Sequence, residues 1–206
     1  MPDFAILAVF IPTFFFVSIT PGMCMTLAMT LGMSVGVRRT LWMMAGEVIG
    51  VALVAIAAVV GVASIMLNYP SVFQVFKWVG GAYLAYLGIK MFFAHEQVTT
   101  GENISATSRG KLASQGFITA IANPKGWAFM ISLLPPFISV TKSLSGQLTV
   151  LVGLIMLSEF LCMLIYATGG KSLRLFLNRG NNIRWMNRIA GSLLVGLGGW
   201  LAFIPT

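Results

Sequence analysis

Residues 4–31 read FAILAVFIPTFFFVSITPGMCMTLAMTL, twenty-eight positions without one charged side chain. A helix of about 20 residues, rising 1.5 Å per residue, covers the roughly 30 Å of bilayer hydrocarbon, so this run is long enough to cross. It carries a break at Thr20-Pro21-Gly22. Pro21 offers no N–H, and its ring collides with the carbonyl four residues back, at Val17. An unpaired backbone group in lipid costs several kcal/mol, so such a break has to face protein or a water-filled cavity. A secretory leader would begin with basic residues and carry a shorter apolar core. The chain starts Met1-Pro2-Asp3, so the run is expected to be a retained first span.

Working outward, 58% of the 206 residues are hydrophobic and 9% are charged. Soluble domains carry about 25% charged residues, so much of this chain is expected to face lipid. Five further apolar runs lie at about Thr40–Leu67, Val72–Phe93, Leu112–Val140, Gln147–Gly169 and Met186–Ile204. Turn residues separate them, as in Asn68-Tyr69-Pro70-Ser71 and Thr141-Lys142-Ser143. The longest polar stretch, from His95 to Lys111, reads as a linker at the midpoint.

The net charge of +8 is carried by short connections between apolar runs, which is an orientation signal and not a nucleic-acid groove. Arg38, Arg39, Lys90, Arg109, Lys111, Lys171, Arg174, Arg179, Arg184 and Arg188 fall on one side; only Lys77 and Lys142 fall on the other. Positive charge marks the cytoplasmic side, so both termini are expected on the periplasmic side.

The two halves match weakly. Phe14 precedes Thr20-Pro21-Gly22 by six residues, and Phe117 precedes Asn123-Pro124-Lys125 by six. Gly81 and Gly88 in the third run have the spacing of Gly191 and Gly198 in the sixth, and the second and fifth runs each hold a glutamate, Glu47 and Glu159. Three spans per half is odd, so the second half must lie inverted. The expected fold is an all-α integral membrane protein with six transmembrane helices. They form two inverted three-helix repeats, 1–94 and 112–206, joined by a cytoplasmic linker at 95–111. Helices one and four are broken at Pro21 and Pro124.

Paired breaks in inverted halves point to a transporter's binding site near the midplane. Thr20 and Asn123 suit helix N-caps, and Pro21 and Pro124 suit the first turns that follow. A helix that restarts there presents free N–H groups and a positive dipole end, a seat for a carboxylate. Lys125 sits in such a first turn, where a cation makes sense if an anion comes to it. The expected substrate-binding residues are therefore Thr20, Pro21, Gly22, Asn123, Pro124 and Lys125. Glu47 lies eight residues beyond Arg39, about 12 Å along a helix, and Glu159 twelve before Lys171, about 18 Å. Ionisable groups that deep are expected to be functional, here for proton coupling or for holding an ammonium group.

These residues resemble the LysE/RhtB family of amino-acid exporters along nearly the whole chain. The resemblance rests on Thr20-Pro21-Gly22, on glycines 32, 36, 46 and 50, and on Lys77-Trp78-Val79-Gly80-Gly81-Ala82-Tyr83-Leu84 through to Gly88. It continues through Gly116, Phe117 and Asn123-Pro124-Lys125. Met23, followed by Cys24, stands where the family usually carries a second proline. The resemblance implies export of amino acids or related small metabolites across a bacterial inner membrane by proton antiport, as a homodimer and without a cofactor.

An alternative is a soft-metal exporter. Met23, Cys24, Met25, Met29 and Met33 crowd the first span, Cys162-Met163 sits in the fifth, and such ligands select soft cations. Methionine is also ordinary apolar filler, and the only histidine, His95, falls in a polar connection, so no resident metal is expected. No His-Glu-x-x-His pair or nucleophile elbow is present, and an enzyme is not expected.

Overall fold

The computed structural model describes residues 4–68, 70–94, 108–134, 137–138, 143–179 and 181–203. Among them are eight helices and no strand: α1 (Phe4–Ile19), α2 (Met23–Ser34), α3 (Val37–Asn68), α4 (Pro70–Phe93), α5 (Arg109–Ile121), α6 (Pro124–Leu133), α7 (Leu144–Asn178) and α8 (Asn182–Phe203). α3 and α7 are each long and apolar enough to cross a bilayer, and α1 with α2 passes the same test as one broken span bent by 56°. Exposed apolar side chains run along their outer faces at helical spacing. Ile49, Leu53, Ile56 and Val60 line α3, and Leu157, Leu161 and Ile165 line α7. Water would disfavour such stripes; hydrocarbon would not.

The two interruptions fall at the X-Pro sites. α1 stops at Ile19, two residues before Pro21, and its freed Ile19 carbonyl accepts the Tyr166 hydroxyl of α7 at 2.7 Å. α5 stops at Ile121, whose carbonyl accepts Trp127 Nε1 at 2.8 Å. α6 then starts at Pro124, with Asn123 in the N-cap position and the Trp127 N–H donating to Asn123 O at 3.2 Å.

One local expectation is overturned. Thr20 does not cap α2: the N-cap is Gly22, with no side-chain bond, and the Thr20 hydroxyl turns back to Phe16 O at 2.8 Å. A threonine at the end of a helix finds the carbonyl four residues back within reach, and Pro21 keeps it there.

One boundary also moves. α5 begins at Arg109, inside the expected linker, because Ser108 Oγ accepts the Lys111 N–H at 3.4 Å and starts the helix early. Residues 95–107 of that linker lie outside the described residues. α7 is kinked at Gly170, whose φ of 42° and ψ of −123° are not helical and suit glycine, so its first segment ends close to Gly169; Lys171 and Arg174, expected in a connection, lie on a helical segment beyond the kink. The extra turns then bury Leu177 in the core.

The helices meet at glycines, as packing without a hydrophobic drive requires. A Cβ at Gly46 would overlap Ala113 of α5, and one at Gly116 would overlap Met43 of α3. Gly32 of α2 lies against Ala167 of α7. Between α4 and α8, Gly88 meets Gly191 and Gly198 meets Gly81, backbone to backbone.

Two apolar clusters form the core. One joins Phe10, Phe14, Val54, Phe129, Leu134 and Phe137; the other joins Met25, Met29, Met43, Cys162, Met163 and Tyr166. Ring centroids in the first lie 5.5 Å apart for Phe10 and Phe14, 5.0 Å for Phe10 and Phe137, and 5.7 Å for Phe14 and Phe129. Those separations are within the range of favourable aromatic pairs.

Candidate functional site

Both helix breaks and both glutamates border one cavity of about 1020 Å³, at the top of the range for small-molecule sites. Val17, Val54, Phe129 and Met130 of the first apolar cluster and Met25 of the second also line it. Thr20, Pro21 and Gly22 reach it from the first break, followed by Met23, Cys24 and Met25 of the first turn of α2. Asn123 and Gly126 reach it from the second. The Pro124 and Lys125 side chains lie outside the described residues, although their backbone forms the first turn of α6. Glu47 comes from α3 and Glu159 from α7.

The carboxyls are close enough to interact electrostatically, but their surroundings differ. Ser18 Oγ donates to Glu159 Oε1 at 2.7 Å, tying α1 to α7. Glu47 is 1% exposed, and neither of its oxygens has a hydrogen-bond partner. The Cys24 thiol adjoins it. A buried polar group left without a partner costs about 1–3 kcal/mol, so the position is prepared for something that arrives. The start of α2 adds free backbone donors: a helix leaves its first N–H groups without intrahelical acceptors, and no side chain caps them here.

Several cavity residues were not singled out by sequence reasoning. Ser18 is a lone polar residue inside FFFVSI, and Gln115 and Thr119 stand one turn apart on α5. Both signals were visible. Asn187 and Lys90 were masked by their neighbours, since Lys90 reads as one more orientation charge. Among the described lining residues Lys90 is the only basic one, and it is exposed. Cys24 borders the cavity, whereas Cys162 is buried against the second apolar cluster. The two thiols therefore do not form a shared soft-metal path.

Apolar helices with outward lipid-type stripes, around a mostly apolar cavity that carries a few polar and ionisable side chains, have the make-up of a membrane translocator. The chain belongs to the LysE type translocator family, which matches residues 15–203. It is 27% identical over 185 residues to an uncharacterized membrane protein of Vibrio cholerae, covering 90% of each chain. It is 26% identical over 185 residues to a homoserine/homoserine lactone efflux protein of Salmonella typhimurium, again covering 90% of each. A leucine efflux protein of Klebsiella pneumoniae is 26% identical over 194 residues, or 93% of this chain and 92% of the relative. No solved structure matches.

Proposed function

We propose that this protein is a secondary transporter that exports amino acids or related small metabolites across the bacterial inner membrane in exchange for protons. Two of the relatives are named for homoserine/homoserine lactone efflux and for leucine efflux. The observation that carries the reading is the convergence of two helix interruptions, the buried carboxyl of Glu47 and the half-buried carboxyl of Glu159 on one cavity. Free N–H groups at the helix restarts suit a substrate carboxylate, with Lys125 beside them, and a glutamate suits its ammonium group.

The arrangement within this reading is six spans, with α1–α2 and α5–α6 as broken spans and both termini periplasmic. The halves, 1–94 and 112–206, are inverted repeats about the linker 95–111, and the protein acts as a homodimer. The glycine contacts between α4 and α8 support the repeat. Gly81 corresponds to Gly191 and Gly88 to Gly198, and the observed contacts pair each with the other's counterpart. A two-fold relation between the halves produces that exchange.

The cavity reaches Lys90 and Ala94 at the end of α4, and Ile183 and Asn187 at the start of α8. The charge bias assigns those ends to the cytoplasm. Toward the other side, Phe129 borders the cavity and the stack through Phe14, Phe10 and Phe137 lies behind it. That is the form a transporter would take when loading from inside.

The test is efflux of labelled leucine and homoserine from proteoliposomes under an imposed pH gradient. At least one of them is expected to move, and Lys125→Ala is expected to lower the rate about tenfold or more. Movement that ignores the pH gradient would overturn the antiport.

A further inference from the structure

Glu47 and Glu159 hold corresponding places in the two halves, and their chemistry differs. Glu159 has a hydroxyl partner that serves both of its protonation states: Ser18 Oγ donates to a carboxylate and can accept from a carboxylic acid. Glu47 has no hydrogen-bond partner for either oxygen, is nine-tenths buried or more, and borders the cavity. A multi-donor cation would satisfy it, and a primary ammonium offers three N–H donors. Among the described residues, Cys24 of α2 and Glu159 of α7 adjoin Glu47, and Ser18, Cys24, Cys162 and Glu47 are among those that adjoin Glu159.

We propose that Glu47 receives the substrate's ammonium group while Glu159, positioned by Ser18, carries the exchanged proton. This division rests on the export reading above. On the outer side the Glu159 carboxylate gains a proton, forming its O–H bond, and Ser18 turns from donor to acceptor. On the inner side that O–H bond breaks, the proton leaves to the cytoplasm, and Ser18 donates again. Glu47 meanwhile takes the ammonium from the inner side and gives it up outside. Ser18 is thus a positioning residue, acting through Glu159.

The experiment uses the full-length protein in liposomes with labelled leucine and labelled homoserine as probes. If the wild type moves neither, the export reading fails and the division falls with it. With the probe that moves, Glu47→Gln is expected to raise the half-saturating concentration about tenfold. It should also let the 2-hydroxy acid analogue, which lacks the ammonium, compete as well as the amino acid. Glu159→Gln is expected to lower the maximal gradient-driven rate about tenfold, with a smaller rise in half-saturating concentration than Glu47→Gln gives. Ser18→Ala should follow Glu159→Gln, and Ser18→Thr, which keeps the hydroxyl, should recover most of the rate. If Glu47→Gln does not fold, Glu47→Asp retracts the carboxyl and should raise the same concentration about threefold. Equal effects at both glutamates, or loss of ammonium discrimination in Glu159→Gln alone, would overturn the division while leaving export intact.

Discussion

The two helix breaks share an X-Pro signature but are held in different ways. At the first, the exposed carbonyl of Ile19 is sealed from another helix, by Tyr166, 147 positions away. At the second, the carbonyl of Ile121 is sealed by Trp127, six positions on and in the helix that restarts. The first seal therefore depends on how α1 and α7 sit together, whereas the Trp127 seal is local. The Ser18–Glu159 bond joins the same two helices one residue before Ile19, so α7 holds the first break by two polar ties. A shift of α7 would act on α1 at both points.

The largest expected effect follows from removing the long-range seal. Tyr166→Phe keeps the ring, which is 1% exposed, and deletes the donor, leaving the Ile19 carbonyl unpaired in a part-buried position. We expect a loss of about 2 kcal/mol, the middle of the range for an orphaned buried polar group. Thermal unfolding in detergent would measure it. Trp127→Phe makes the matching change at the second break. Trp127 is half-buried, so water can reach the site, and the expected loss is about 1 kcal/mol. If Trp127→Phe proved the more damaging of the two, the local seal would matter more to the fold than the long-range one.

Both interruptions fall at prolines that the sequence singles out, yet proline alone does not decide them, since Pro12 sits inside α1 without ending it. The two glutamates were legible because an ionisable group within an apolar run needs an explanation wherever the helix lies. Glycines 81, 88, 191 and 198 could be matched by spacing, although only the fold tells that Gly88 pairs with Gly191 and Gly81 with Gly198. The unread parts are those that depend on contacts distant in sequence. Ser18 is 141 positions from Glu159, and nothing in FFFVSI names its partner. Thr20 was misread because capping and back-bonding draw on the same hydroxyl, and the choice is made by the backbone at Gly22. The helical segment beyond the kink at Gly170 was missed because a glycine that ends a helix and one that kinks it look alike in sequence.

The smallest expected effect comes from that backbone. Gly22 has φ −145° and ψ −174°, extended values open to any residue, and a Cβ there would meet only Thr20 O at 3.9 Å. The first break thus does not require glycine for its shape. Serine at an N-cap accepts a bond from the first turn and exceeds glycine by a few tenths of a kcal/mol. Gly22→Ser is therefore expected to leave stability within about 0.5 kcal/mol of wild type, on the favourable side. Its cost should fall on transport, because the serine oxygen would occupy an N–H that we assign to the substrate carboxylate. A rise of about threefold in half-saturating concentration in the liposome assay is the expected outcome. A gain in stability without that rise would mean the free donors of α2 do not hold the substrate. The carboxylate end of the site would then belong to the second break alone.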